Sequence, residues 1–374
     1  MTSSIRSDFT ETDFNEVKAR ITWNAIIEPG DRLAGQLIAE HGSIGALDAF
    51  LNRTDFGPEY LSAYERWNPR YHSELANERI ALAKKHDLKL LVPTDELWPA
   101  ALRDLEAHEP ILFWYRGDPA HFRRLEKSIG VVGSRNSSHY GQRVTSDLAT
   151  VLVDENAAVV SGGALGIDSV AHRTTLALGG VTAAFMAGSL DLPYPAANYS
   201  LFDQIAHTGL LLSEMSPGSN PTRWRFLQRN RLIAAVTNAL VVTEAGLRSG
   251  SINTVNHATE LERPIFAVPG PITSPSSAGC NRLIRDQMAN LLVEVSDLPL
   301  ELNWRKSIVE TSHSLGSLEL RAFDALGFKA QSFEQLVVAT GLSVGELRIA
   351  LGGLQLAGAA KCVENRHWSR NNVM

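Results

Sequence analysis

Short, uninterrupted apolar runs dominate the centre of the chain and indicate its architecture. Each run has four to six residues rich in β-branched side chains, and most are separated from the next by a helix-length segment. The runs are Ile129–Val132, Ala157–Val160, Val181–Met186, Gly209–Leu212, Ala239–Val242, Ile265–Val268 and Leu291–Val295. Continuous apolar strands that alternate with helices are typical of a mainly parallel sheet covered on both faces. The pattern therefore predicts a doubly wound α/β domain.

The segment before this region has helical periodicity instead. Residues 1–17 are polar and are predicted to be frayed. After residues 28–31 the pattern predicts two short helices, because Gly42 is a natural helix stop and Ser43 a natural cap. A longer helix is predicted over 72–86, followed by a buried strand at Leu88–Val92. These elements predict a small N-terminal helical module.

The last part of the chain is also predicted to be helical. Leu318–Leu326 has one apolar face, and Ser332-x-x-Gln335 and Ser343-x-x-Glu346 resemble capping boxes of two further helices. Thr340-Gly341-Leu342 is typical of the turn in a helix-turn-helix, and 357–369 can form a β wing. The predicted domains are a helical module over 18–86, the sheet domain over 87–297, a linker over 298–315 and a C-terminal domain over 316–374.

Composition narrows the class of protein. The chain has 374 residues, of which 44% are hydrophobic and 20% charged, as in ordinary globular proteins. The net charge of −6 argues by itself against a nucleic-acid binder, so the question depends on local patches. Two cysteines without metal or disulfide spacing fit a reducing cytoplasm, and no apolar stretch reaches 18 residues. We expect neither export, nor a membrane span, nor a metal site.

The first candidate motif is Val131-Val132-Gly133-Ser134-Arg135, where a predicted strand enters a loop before a helix that begins near Tyr140. Gly133 and Ser134 let the backbone approach a ligand closely. The helix start is expected to offer unpaired N–H donors, and Arg135 adds a guanidinium suited to phosphate. The alternative interpretation is a tight turn followed by a surface arginine.

The second motif is Ser161-Gly162-Gly163-Ala164-Leu165-Gly166-Ile167-Asp168, again between a strand and a helix. Its glycine spacing differs from a dinucleotide fingerprint, and the next strand does not end in the acid that NAD requires. A backbone cradle for phosphate survives this test, whereas NAD does not. Asp168 is either a charged site residue or an acid favoured by the helix dipole. His172 is interpreted as a hydrogen-bonded structural residue.

The third motif is a basic cluster in an otherwise acidic protein. Residues 223–231, with the sequence RWRFLQRNR, contain four arginines, two aromatic residues and no acid. Guanidinium groups neutralise phosphates, and Trp or Phe can stack on unpaired bases. The alternative is a helix whose Trp224 and Phe226 face the core while its arginines pair with acids.

The fourth motif, residues 243–251, closes another strand, and Gly250-Ser251 there begins the next helix. The four motifs all follow strands and should converge at the carboxyl edge of the sheet, where open α/β sheets bind ligands. The residues predicted to contact DNA are Gly133, Ser134, Arg135, Ser161, Gly162, Gly163, Ala164, Gly166, Arg223, Arg225, Arg229, Asn230, Arg231, Gly250 and Ser251. No catalytic residue is predicted.

These motifs, in this order and spacing, resemble the DNA processing protein A (DprA/Smf) family. The segments that carry the resemblance are VGSR-x4-YG, VVSGGALGID-x3-AH, LDLPYPAAN, SEMSPGSNP, RNRLIA, EAGLRSGS and FAVPG, over about residues 95–293. The resemblance implies an extended Rossmann-like domain, an N-terminal SAM-like module and a C-terminal winged-helix domain. Phosphate contacts are carried over to Gly133, Ser134 and Arg135, and the family's RNR motif to Arg229, Asn230 and Arg231.

The resemblance also implies a function. It implies that the chain binds and protects single-stranded DNA without strong sequence preference and loads the RecA recombinase during natural transformation and recombination. It further implies a homodimer. Leu283–Leu292, at the far end of the predicted sheet, is the surface we expect for it, and no cofactor is expected. Three departures are Leu227-Gln228 in place of the usual proline, Ala196-Ala197 in place of a basic residue, and Cys280, expected to be a buried inert thiol.

Two other functions remain open. The first is a nucleotide-processing hydrolase on a related Rossmann-like fold, with Glu244 and Glu260 as candidate acids, although its double-glycine loop is missing here. The second is a transcription regulator that uses the C-terminal domain. Its predicted recognition helix, Val344 to Leu356, has only Glu346 and Arg348 as charges, which disfavours duplex reading. The terminal domains are therefore expected to be accessories to the central one.

Overall fold

The computed structural model describes residues 11–54, 57–305, 316–363 and 367–371. The chain divides into two compact units, Met1–Leu302 and Asn303–Met374. The first unit contains N-terminal helices and a large sheet, and the second is a small helical domain with a short sheet.

Four helices begin the first unit, and three of them surround an aromatic core. They are α1 (Glu11–Ile26), α2 (Arg32–Leu51), α3 (Pro58–Trp67) and α4 (Leu75–Lys85). Trp23, Phe50 and Trp67 pack together, with ring centroids 5.2 Å apart for the two tryptophans. As predicted, the chain stops and restarts its helix at Gly42, whose φ is 72°. The expectation of a frayed start is wrong for 11–17, which belong to α1.

The large sheet has nine strands in the order β1-β2-β6-β5-β4-β3-β7-β8-β9. They are β1 (Lys89–Leu91), β2 (Phe113–Gly117), β3 (Ser128–Gly133), β4 (Ala158–Ser161), β5 (Thr182–Met186), β6 (Leu210–Ser213), β7 (Ala239–Glu244), β8 (Ile265–Ala267) and β9 (Asn290–Leu291). Neighbouring strands from β3 to β9 pair in parallel, whereas β2 is antiparallel to β6 and β1 antiparallel to β2. The predicted mainly parallel α/β sheet is confirmed, and β2 is an addition to the prediction.

Helices cover both faces of the sheet. They are α5 (His139–Asp154), α6 (Ile167–Ala177), α7 (Tyr199–Thr208), α8 (Arg223–Val236), α9 (Ser251–Glu260), α10 (Ala278–Arg285) and α11 (Leu298–Glu301). Shorter 3-10 segments lie at Asn68–Arg70, Ala100–His108, Pro119–Glu126, Ala196–Asn198 and Val295–Asp297. In β5, Ala183 and Phe185 join the core under α8 and α9, while Ala184 and Met186 join the core under α7. Two buried faces explain why the strands are continuously apolar.

The chain changes direction at β3, and this determines where a ligand can bind. From β3 it proceeds through β4, β5 and β6 on one side, then crosses to β7, β8 and β9 on the other. The loops after β3 and β7 therefore diverge at the carboxyl edge, which is where open α/β sheets form a crevice.

The second unit has the predicted winged-helix architecture. It contains α12 (Ser317–Ala325), α13 (Phe333–Thr340) and α14 (Val344–Leu356), with β10 (Gln331–Ser332), β11 (Ala360–Val363) and β12 (His367–Arg370). Both predicted capping boxes are present, at Ser332/Gln335 and Ser343/Glu346. The predicted wing is the β11–β12 pair, although 364–366 lie outside the described residues.

None of the described helices is long and apolar enough to cross a membrane alone. The pair α13 and α14, bent by 105°, meets that test together, by length and composition only.

The core of the second unit generates a stability prediction. Leu351 of α14 is 1% exposed, whereas Leu356 of the same helix is 87% exposed. Leu351→Ala should destabilise this unit by about 2–5 kcal/mol, because it leaves a cavity. Leu356→Ala is the matched control and should change stability by less than about 0.5 kcal/mol. Hydrogen exchange of α12–α14 measures both, and equal effects of the two variants would contradict the assigned core.

Candidate nucleic-acid interface

Three of the predicted loops are joined by backbone hydrogen bonds at the carboxyl edge. Ser134 N donates to Glu244 O at 2.7 Å, and Ile167 N donates to Ser134 O at 3.1 Å. The loops after β3, β4 and β7 are thereby brought together, as the sheet topology requires. Gly166 permits this contact, because its φ is 79° and a Cβ there would lie 2.2 Å from Ser134 O.

Arg135 is the exposed cation of the first motif. Its guanidinium carbon lies 5.1 Å from the centroid of the Phe226 ring, a cation–π distance. No acid among the described residues lies within ion-pair distance of Arg135. The loop keeps its shape through Ser134, whose Oγ donates to Asn136 O at 3.0 Å.

The start of α5 differs from the prediction. Ser138 donates from its backbone N and from Oγ to the carboxylate of Glu244, at 2.8 and 2.6 Å. Ser138 Oγ in turn accepts from Gly141 N at 3.1 Å. Glu244 is 1% exposed, so the protein's own carboxylate lies where an unpaired helix start would attract phosphate. The expectation of unpaired N–H donors is therefore wrong for Ser138 and Gly141.

The Ser161–Gly166 loop is supported from beneath by Asp168. The Asp168 carboxylate accepts from Gly162 N at 3.1 Å and from Ala164 N at 3.3 Å. Burial raises the pKa of Asp168, and the charge of Arg229 and these backbone hydrogen bonds oppose the rise. Ser161 is fully buried and donates from Oγ to Val131 O at 2.6 Å. The exposed part of this loop is centred on Leu165.

Arg229 lies inside the protein. Its Nη1 donates to Gly162 O at 2.6 Å and to Phe185 O, and its Nε donates to Asn230 Oδ1 at 3.1 Å. Burial lowers the pKa of Arg229 to about 10, which leaves it charged at neutral pH. Asn230 Nδ2 continues the network to Asn253 Oδ1 on α9, at 3.0 Å.

Two other arginines of the basic cluster are paired with acids. Arg231 is 3% exposed and forms a bidentate pair with Glu214, at 2.6 and 2.8 Å, while it also donates to His108 O. Arg225 forms a bidentate pair with Glu28. Pairing with acids is what the alternative interpretation of this cluster expected. Arg223 is exposed, and the described part of the chain supplies no acid within ion-pair distance of it.

Two exposed aromatic side chains lie in the basic cluster or pack against it. Trp224 is 55% exposed, whereas the alternative interpretation would have buried it. Tyr194 is 52% exposed, and its ring packs edge-on against Phe226 with centroids 5.9 Å apart. Tyr194 was not among the residues predicted for the site, because nothing in its sequence neighbourhood separates an exposed stacking tyrosine from a loop tyrosine. Gly250 is open to solvent at the start of α9, next to the buried Ser251.

Two buried titratable groups of this domain, His172 and Cys280, have shifted pKa values. His172 Nδ1 lies 2.7 Å from Thr182 Oγ1, which itself donates to Val159 O, so the histidine donates from Nδ1. Burial and the nearby Arg229 lower the pKa of His172 to about 3, which agrees with its interpretation as a structural residue. Cys280 is buried and burial raises its thiol pKa to about 12, as expected of an inert thiol.

The two candidate acids of the hydrolase alternative have different environments. Glu244 is enclosed and bonded to Ser138, whereas Glu260 is exposed and 3.2 Å from His257 Nδ1. Within the described residues no group of three or more His, Cys, Asp or Glu side chains could hold a metal ion.

The fold is a Rossmann-like sheet, and exposed guanidinium and aromatic groups lie at its carboxyl edge, where open α/β sheets bind ligands. The model of the DNA recombination-mediator protein A family matches residues 89–303, and that of the DprA winged helix domain matches 310–365. The chain therefore belongs to the DNA recombination-mediator protein A (DprA) family.

Named relatives and solved structures agree with this assignment. The chain is 34% identical over 364 residues to the putative DNA processing protein DprA of Mycobacterium tuberculosis, covering 92% of each chain. The X-ray structure of Streptococcus pneumoniae DprA is 30% identical with a TM-score of 0.63, covering 77% of this chain and 97% of that one. A Helicobacter pylori DprA structure, which concerns its unique single-stranded DNA binding mode, is 29% identical with a TM-score of 0.52, covering 58% and 96%.

Arg229 makes Gly162 intolerant of a side chain. A Cβ at Gly162 would lie 2.0 Å from Arg229 Nη1. Gly162→Ala should therefore destabilise the protein by about 1–3 kcal/mol or more through overpacking. Gly250→Ala is the matched control, since its Cβ meets nothing within 4 Å and its φ is −63°. Urea unfolding measures both, and a neutral Gly162→Ala would contradict the enclosed position of Arg229.

His172 should make stability depend on pH. Its pKa rises from about 3 when folded to the ordinary 6.5 when unfolded, so the unfolded chain binds more protons between these values. Stability from this residue is fully present above pH 6.5 and is lost as the pH falls towards 3. The loss between pH 7 and pH 4 should be on the order of 3 kcal/mol.

Comparison with His172→Gln isolates this contribution from that of Asp168, whose raised pKa acts in the opposite direction. Urea unfolding at several pH values should give a shallower pH dependence for the variant. Parallel curves for the two proteins would contradict a buried neutral histidine.

Proposed function

We propose that this protein binds single-stranded DNA without strong sequence preference along the carboxyl edge of its sheet. The observation that carries the proposal is that exposed Arg135 and Tyr194 both pack on the half-buried Phe226 ring. Exposed Arg223 and Trp224 lie on the same first turn of α8 as Phe226. Guanidinium groups neutralise phosphates and release counterions, while aromatic rings stack on bases of any identity. Together these contacts favour unpaired strands over duplex DNA, whose bases are already stacked.

The predicted site residues would then act in two ways. We assign direct contact to Gly133, Ser134 and Arg135 and to the exposed Arg223, with the Ala164–Gly166 segment and Gly250 along the same edge. Support from beneath is assigned to the buried and half-buried members. These are Ser161, Gly162, Gly163, Arg225, Arg229, Asn230, Arg231 and Ser251. Asp168 and Glu244 belong with this second group, because their carboxylates fix the loops.

A finer function is proposed from the resemblance to the family. We propose that the bound strand is protected from nucleases and handed to RecA in natural transformation and recombination, and that the protein works as a homodimer. The relatives are named DNA processing proteins, which supports a role in handling DNA. The free cysteines Cys280 and Cys362 fit a reducing compartment such as the cytoplasm. We propose binding rather than catalysis, since the enclosed Glu244 is already hydrogen-bonded to Ser138.

Removal of the central cation tests the site. Arg135→Ala should weaken binding of oligo(dT) about tenfold, the effect of losing one charge-assisted hydrogen bond. The slope of log affinity against log salt should also decrease by about 0.7, because one phosphate contact is lost from a single strand. Fluorescence anisotropy titrations at several salt concentrations measure both quantities.

Arg123→Ala is the matched control, since Arg123 is an exposed arginine just before the amino end of β3 whereas Arg135 follows its carboxyl end. It should bind oligo(dT) as the wild type does. Equal affinities of the wild type and Arg135→Ala would remove the assigned site. Assembly of RecA on the same oligonucleotide, monitored through ATP hydrolysis, tests the handover. It should fail in the Arg135→Ala variant in parallel with binding.

A further inference from the structure

The first turn of α8 is tied to the N-terminal helices α1–α4. Arg225 donates from Nε and Nη2 to the two carboxylate oxygens of Glu28, both at 3.0 Å. Its Nη1 donates to Asn220 O at 2.7 Å. Glu28 lies in the turn between α1 and α2, far from Arg225 in sequence. A planar guanidinium with both sides engaged is fixed in orientation as well as in place.

Glu28 is itself held by a second arginine. Arg70 Nη1 lies 3.0 Å from Glu28 Oε1. Burial tends to raise the pKa of Glu28, but its hydrogen bonds and charge interactions with Arg225 and Arg70 outweigh burial and lower it. The carboxylate is therefore ionised at neutral pH, and the pair is a permanent feature under physiological conditions.

The same turn touches α8 at further points. A Cβ at Gly30 would lie 2.9 Å from Gln228 Oε1 and 3.2 Å from Arg231 Nε. Gly30 O also lies 2.8 Å from His108 Nδ1, and Arg231 donates to His108 O. Arg225, Gln228 and Arg231 recur every three residues and so lie on one side of the helix. That side of α8 rests on the turn between α1 and α2.

The first turn of a helix is where fraying occurs, because its N–H groups lack partners within the helix. Trp224 and Phe226 flank Arg225 on this turn, and the Phe226 ring is the one that contacts Arg135. Any side chain that must be ordered on binding subtracts from affinity. An anchor on Arg225 removes that loss before DNA arrives.

We propose that Glu28 is a positioning residue for single-stranded DNA binding, which it serves by anchoring Arg225 and thereby the ring-bearing first turn of α8. This inference rests on the function proposed above. It makes the N-terminal helices part of the DNA site, although they carry none of its contacts. Arg225 is accordingly a support: its side chain is 16% exposed, and its donors are engaged by Glu28 and Asn220.

Glu28→Gln in the full chain tests the inference, because the amide keeps the shape of the side chain but loses the ionic pair. Oligo(dT) affinity should fall about fivefold, the effect of leaving one or two side chains to be ordered on binding. The salt slope should stay at the wild-type value, because no phosphate contact is lost. Glu59→Gln is the matched control, an exposed acid of the same helices whose partner Arg32 lies 3.4 Å away.

A conservative variant of the partner supplies the second measurement. Arg225→Lys keeps the positive charge but loses the bidentate pair with Glu28. It should therefore weaken binding about as much as Glu28→Gln does, again with the salt slope of the wild type. Hydrogen exchange should be faster over 223–228 in both variants than in the wild type and unchanged over α1–α4.

Comparison with Arg135→Ala separates failure of this inference from failure of the proposed function. Wild-type affinity for Glu28→Gln, in an assay where Arg135→Ala binds weakly, overturns this inference and leaves the proposed function intact. If Arg135→Ala also binds normally, the proposed site itself fails. Tighter binding with a steeper salt slope in Glu28→Gln would make Arg225 a latent phosphate contact and contradict the positioning role. Wild-type affinity for Arg225→Lys contradicts it as well.

Discussion

A positive charge buried at the carboxyl edge of the sheet is the constraint on which the site depends. Removing a guanidinium from water costs several kcal/mol unless it is paired and hydrogen-bonded. Arg229 meets this requirement through Gly162 O, Phe185 O and the nearby carboxylate of Asp168. The same carboxylate accepts from Gly162 N and Ala164 N, so the loop after β4 is shaped around the pair. The glycine at 162 is then obligatory, because any side chain would meet the guanidinium.

The basic cluster separates into two populations for the same reason. Acids and carbonyls engage the donors of Arg225, Arg229 and Arg231. By contrast, Arg223 is exposed, as is Arg135, which is far from the cluster in sequence. A buried guanidinium that lost its partners would destabilise the fold, so contact between the first group and DNA would cost stability. Contact between the exposed arginines and DNA has no such cost. Fewer guanidinium groups are therefore available to a ligand than the number of arginines in the cluster indicates.

Much of the fold could be predicted because local pattern and burial agree. Strands β3 to β8 are buried on both faces, so each is a continuous apolar run. Helix α1 escaped prediction because its apolar residues serve two cores, Val17 and Ile21 one and Trp23 and Ile26 the other, which blurs the apolar stripe. The sequence predicted where the candidate site lies, but not which of its residues are exposed and which support the others. Partners such as Glu28 and Arg225, or Ser138 and Glu244, lie more than 100 positions apart, and no local pattern reveals them.

The acidic net charge is compatible with a polyanion partner once the acids are located. Glu28 and Glu214 are bound to arginines, and Glu244 closes a helix start, so these carboxylates organise the basic edge instead of repelling a strand from it. Because the number of exposed arginines there is small, the electrostatic share of binding should be modest and aromatic stacking should supply much of the rest. On α14, which the sequence predicted to be a recognition helix, the exposed side chains include Val344, Ile349 and Leu356, and the charges are Glu346 and Arg348. An apolar helix face lacks the polar side chains that read base edges in a duplex groove.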